Sequence, residues 1–136
     1  MKHLLSILIF LSFISLSYAE DRPLPPLEDF VMQGNSQSYI LQRCVALYKF
    51  HAQTQAMLKE FQGEEYDNTD EAQYYRNSIR LSIYQKVFFP NGELSEEEQS
   101  EMVDAYMRTK PKFIWEDNAI CREVLASANE RAESNQ

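Results

Sequence analysis

Glycine is scarce in this chain of 136 residues, with Gly34, Gly63 and Gly92 the only three, and histidine is scarcer still at two. Phosphate-cradling glycine loops are therefore absent, and so is the density of ligands that a metal site requires. There is no C-x-x-C and no G-x-S-x-G, which leaves redox dithiol and serine-elbow chemistry without a motif. Basic residues are in deficit, 13 Lys and Arg against 21 Asp and Glu. An acidic surface repels nucleic acid phosphates and anionic bilayers, so neither is expected as a partner. Only one long apolar run occurs, Leu4 to Leu16, and no second one follows.

That run has the layout of a secretory signal. Lys2 and His3 give a positive start, and Ser17-Tyr18-Ala19 supplies small residues at the two positions a signal peptidase reads. A retained anchor is the alternative, but the run falls short of the roughly 20 residues needed to cross a bilayer. The sequence thus predicts residues 1–19 as a signal peptide, cleavage after Ala19, and a periplasmic or secreted product. Losing Lys2 leaves 12 basic against 21 acidic residues, a net charge of −9. No cysteine follows the cleavage point, which argues against a bacterial lipoprotein.

Export makes the two cysteines interpretable. Cys44 and Cys121 are an even pair near the two ends of the domain, expected to form a disulfide in an oxidising compartment. A closed loop of 77 positions is worth roughly 4 kcal/mol on the chain-entropy estimate. The competing reading, a redox or metal-binding thiol pair, has no histidine-rich setting to support it.

Pro23, Pro25 and Pro26 lack backbone donors and bias their predecessors away from helix, so residues 20–37 read as an extended leader. Leu24, Leu27, Phe30 and Val31 are its candidates for docking on the domain. Residues 38–133 read as the helical domain. Its first helix spans Ser38 to Gln62, capped by Asn35, Ser36 or Ser38, with Ile40, Leu41, Cys44, Leu47, Tyr48, His51, Gln55, Leu58 and Phe61 on one face. A polar connector from Glu64 to Thr69 leads to a second helix over Asp70 to Phe89. Ala72, Tyr75, Ile79, Ile83, Lys86 and Val87 make its stripe, flanked by Tyr74, Leu81, Tyr84 and Phe88.

Pro90-Asn91-Gly92 forces a turn. Ser95-Glu96-Glu97-Glu98 then forms a capping box, which opens a third helix carrying Met102, Ala105 and Tyr106 inward and ending by Pro111. The last helix covers Phe113 to Glu133, unless Asp117 or Asn118 caps it later; Ile120, Cys121, Val124, Leu125 and Ala128 face inward. Four amphipathic helices joined by short connectors predict an all-α fold, a four-helix antiparallel bundle with a Pro-rich leader and one disulfide.

Candidate chemistry is sparse. His51 is the one histidine left after cleavage, on the inward face of the first helix. A metal role needs further ligands, and a pairing with Cys44 is too long at about 10 Å along the helix axis. The acid pairs Glu64-Glu65, Asp70-Glu71 and Glu116-Asp117 sit at helix starts or connectors. Asp67-Asn68-Thr69-Asp70-Glu71 lacks the central glycine and distal glutamate of a calcium loop. No cofactor motif is present. Tyrosines are numerous, and a ligand or partner surface built from His51, Tyr48, Tyr75, Tyr84 and Tyr106 competes with a plain core role for the same rings.

Leu41-Gln42-Arg43-Cys44-Val45-Ala46-Leu47-Tyr48 early, with Asp117-Asn118-Ala119-Ile120-Cys121 late, resembles small exported helical proteins of bacteria and their phages. Those carry one cysteine in an early helix and one after an acidic residue in the last. The resemblance implies an exported setting and carries over no active-site residues. Without a catalytic constellation, the expected function is a non-enzymatic binding module contacting a protein or small ligand. An inhibitor or immunity-type protein acting against an exported toxin or hydrolase is the alternative.

Overall fold

The computed structural model describes residues 22–34, 37–63, 69–92 and 94–134. The expected signal peptide with its cleavage point, the expected caps Asn35 and Ser36, and the connector over 64–68 lie outside the described residues.

Five α-helices occur among the described residues, with no strand: α1 Leu27–Gln33, α2 Gln37–Gln62, α3 Thr69–Phe88, α4 Glu96–Met107 and α5 Pro111–Ser134, with a 3₁₀ turn at Pro90–Gly92. The disulfide is present, Cys44 to Cys121, with Cα atoms 5.3 Å apart. Four helices were expected, and α1 is the correction. It lies inside the segment read as extended leader: Pro25 and Pro26 precede the helix, where their missing N–H groups cost nothing, and packing stabilises its seven residues. Leu27 is fully buried, Leu24 and Phe30 pack against the core, and the Phe30 ring sits 4.4 Å from Tyr39 of α2.

The second correction concerns α2. Every residue from Ile40 to Tyr48 is buried, including Gln42, Arg43, Val45 and Ala46, which lie off the expected face. A helix covered on all sides is core. It packs against each of the other four helices, with α3 as its main neighbour. Its C-terminal half emerges into solvent, leaving Met57, Leu58 and Phe61 exposed. Gly63 ends it in the left-handed conformation (φ 81°) with its N–H on the Lys59 carbonyl, a geometry that favours glycine.

The third correction is the orientation of α3. Its inward residues are Asn77, Ser78, Leu81 and Gln85, joined by half-buried Tyr74 and Tyr84. The row Tyr75, Ile79, Ile83 and Val87 faces solvent.

The sequence signals for α4 hold atom for atom. Ser95 Oγ accepts the Glu98 N–H at 3.2 Å, and Glu98 Oε2 accepts the Ser95 N–H at 2.8 Å. Those bonds hold the exposed Glu98 carboxyl below its usual pKa. The last helix starts at Pro111, and Asp117 and Asn118 lie inside it as buried residues instead of capping it.

Two polar clusters join the elements. In the first, Ser38 Oγ accepts from Gln85 Nε2 (2.7 Å) and Gln42 Nε2 (3.2 Å) and donates to the Gly92 carbonyl. A Cβ on Gly92 would lie 2.1 Å from Ser38 Oγ, so only glycine permits this approach of turn to helix. The second cluster lies beside the disulfide.

Candidate interaction surface

Burying an arginine requires a partner that compensates its charge and accepts its donors. Arg43, fully buried on α2, meets Asp117 of α5 in a direct ion pair. Its Nε also donates to Tyr106 Oη at 3.1 Å, and its Nη1 to the Pro25 carbonyl at 3.0 Å. Asp117 further accepts from Tyr106 Oη (2.8 Å), Arg22 Nη2 (3.3 Å) and the Leu27 N–H (3.4 Å). Arg22 reaches Glu116 as well, and its guanidinium lies 4.5 Å from the centre of the Phe113 ring. Burial works against the Arg43 charge, but Tyr106 and Asp117 outweigh it and raise its pKa. Burial likewise pushes the Tyr106 phenol well above its ordinary value. The cluster ties the leader, α2, α4 and α5 together one residue from Cys44 and one helical turn from Cys121. Apart from Arg22 Nε, which is buried without a partner, its groups satisfy one another and brace the fold.

The five residues singled out as a possible surface are divided among four settings. Tyr106 belongs to the brace. Tyr48 and His51 come together around Tyr74, with ring centres 6.2 Å and 4.7 Å from it. Tyr48 is buried and His51 half-buried, and neither Tyr48 Oη nor His51 Nε2 has a partner among the described groups. Burial raises the Tyr48 pKa and lowers that of His51. No group of three His, Cys, Asp or Glu side chains is placed to hold a metal ion among the described residues.

Tyr84 stands at a cavity of about 380 Å³ between α1, α2, α3 and α5, lined by Phe30, Ile40, Phe89, Ile120 and Val124. There its hydroxyl accepts from Arg131 Nη1 at 3.2 Å. A second, polar cavity of about 440 Å³ opens between α2, α3 and α4, where Gln42, Gln85 and Gln99 meet Lys49, Glu96 and Asp104.

Tyr75 is the residue of the five that faces outward, and it heads the α3 row. Tyr75 is 59 % exposed, Ile79 42 %, Ile83 58 % and Val87 65 %, while Phe88 lies round the helix against the Tyr84 ring. Four residues apart, the residues of the row lie above one another along one helix face. An exposed Ile or Val alone needs no explanation, but an aligned row of four apolar side chains makes this face the candidate contact surface. One residue further on, Arg76 and Arg80 form a parallel row, and from position 72 to 88 α3 carries Arg76, Arg80 and Lys86 and no acid. Sequence periodicity picked out these apolar residues correctly. It missed which side they occupy, and it missed the Arg22–Arg43–Asp117 brace entirely. The available signal was Arg43 standing inside a run of apolar residues without a polar face to escape to.

No helix among the described residues is long and apolar enough to cross a membrane. No protein-family model, curated protein or solved structure matches this chain, so its function is argued from the surface itself.

Proposed function

We propose that this chain is a small exported, non-enzymatic interaction module that contacts a protein partner in the periplasm or outside the cell. In this reading α2 to α5 form the antiparallel four-helix framework, α1 and the leader strap it, and the outer face of α3 makes the contact. The observation that carries it is the solvent-facing row Tyr75, Ile79, Ile83 and Val87 on a helix whose other face is packed. Burying such a row in a complex removes apolar area from water at about 25 cal/mol per Å². The stapled core beneath supports the reading too, because a rigid scaffold loses little entropy when its surface docks.

The test is a photoreactive residue at position 83 of the exported protein, with the same residue at exposed Glu97 as a control. A discrete adduct from position 83 alone is expected in cell envelopes. No adduct, or the same adducts from both positions, would remove the proposal.

A second reading, an inhibitor or immunity-type protein, is favoured by the exposed acid row Glu97, Glu101 and Asp104 on α4. Such a row suits a basic toxin or hydrolase and speeds encounter with it. Unchanged hydrolase activity or survival after adding the pure protein would count against it.

A further inference from the structure

The α3 face has a charge pattern as well as an apolar one, and the pattern selects among occupants. The apolar row 75, 79, 83, 87 and the basic pair Arg76 and Arg80 run side by side along the same i to i+4 direction. Rows at this spacing are the ridges that pack into the grooves of a facing helix. Resting on the reading above, we propose that the outer face of α3 receives an amphipathic helix of a partner protein whose apolar row is edged by Asp and Glu.

Charge complementarity carries the choice of acids. After Asp70 and Glu71 in its first turn, every charged residue on α3 is basic, in a chain that is acidic as a whole. Arg76 also donates to Gln73 Oε1 at 3.1 Å, on the side of Arg76 away from the row.

The same pattern disfavours two other occupants. A second copy pairing antiparallel through α3 about a two-fold axis would set each edge against its own equivalent. Arg76 and Arg80 would then face Arg76 and Arg80 of that copy, between two molecules that repel through their net negative charge. An anionic bilayer would satisfy the arginines, but it would have to approach a strongly acidic protein, and its headgroups have no use for a ridge of defined spacing. Tyr and Arg flanking aliphatic residues is also the composition of protein contact surfaces. The four side chains of the row expose less than the roughly 800 Å² per partner of a standard interface. A single docked helix covers such a row and gives a contact at the weak, exchangeable end.

The test uses three synthetic helical peptides of about 18 residues, five turns, sharing one apolar row. One is edged with Glu, one is edged with Lys, and one is edged with Glu but broken by a central Pro. Their affinities for the full mature protein are read by fluorescence anisotropy. The Glu-edged helix is expected to bind at least tenfold more tightly than the other two. Arg76→Glu with Arg80→Glu should reverse the Glu-over-Lys preference, and Ile83→Glu should abolish binding of all three, with urea midpoints confirming that each variant is folded.

Equal binding of the three peptides, or binding of none, overturns the inference. Sedimentation with phosphatidylglycerol vesicles that is lost in Ile83→Glu overturns it in favour of a membrane. A dimer in analytical ultracentrifugation that is lost in the same variant overturns it in favour of self-association. The two proposals fail separately. A position-83 adduct without any peptide preference leaves the interaction module standing and removes the acidic helix.

Discussion

Replacing Asp117 by Asn keeps the size of the side chain and removes its charge, which isolates the electrostatic role of the brace. In the native protein the carboxylate accepts from Arg43, Arg22, Tyr106 and the Leu27 N–H, all in buried surroundings. Arg22 retains Glu116 after the change, but Arg43 is left with tyrosine hydroxyls and a carbonyl for a full positive charge. Removing one partner of a buried pair costs about 3–5 kcal/mol, a large share of the roughly 5–15 kcal/mol that holds a domain together. The urea midpoint followed by far-ultraviolet circular dichroism, with the disulfide kept intact, should therefore fall by about 2 M at an ordinary m-value. Arg43→Met combined with Asp117→Leu should be less destabilised than either single change, because no lone charge remains buried. A loss below about 1 kcal/mol for Asp117→Asn, the worth of a surface pair, would refute a buried Arg43–Asp117 contact.

Three further outcomes follow from other parts of the fold. Cys44→Ser with Cys121→Ser should cost roughly 4 kcal/mol for a loop of this length, and intact-mass analysis of the native protein without reductant should find no free thiol. Gly92→Ala should destabilise by about 1–3 kcal/mol through overpacking, with part recovered in the Gly92→Ala, Ser38→Gly double variant, since Ser38 is what a Cβ would strike. His51 has its pKa lowered by burial, so the unfolded chain binds its proton first as pH falls. Its contribution is complete above the unfolded value near 6.5 and is lost as pH drops from there toward the folded pKa. In urea titrations His51→Gln should flatten that part of the stability profile, and an unchanged slope would contradict the burial.

Legibility in the sequence followed the range of each interaction. The α4 start was readable because a capping box is complete within Ser95 to Glu98. The disulfide was readable because the sequence predicts export, and an oxidising compartment pairs two cysteines. The short α1 was hidden behind Pro23, Pro25 and Pro26, since it is packing on α2 and on the distant α5 that stabilises it.

Orientation of α3 was undecidable from periodicity alone, because Tyr74, Leu81 and Tyr84 form one apolar face while Tyr75, Ile79 and Ile83 form another. Packing chose the first and brought the polar Asn77, Ser78 and Gln85 inside with it. Arg43 and Asp117 are 74 positions apart, so their pairing was invisible locally, although both stand in the short stretches around the two cysteines.

The claim that the α3 row is a surface for recognition and not displaced core meets its most direct test in Ile79→Glu with Ile83→Glu. Substitutions at solvent-facing positions shift stability by only about 0.5 kcal/mol. The account predicts an almost unchanged urea midpoint together with loss of the adduct from a photoreactive residue at Val87. A collapsed midpoint would place the row inside the core, and a native midpoint with the adduct retained would show that the row is not the contact.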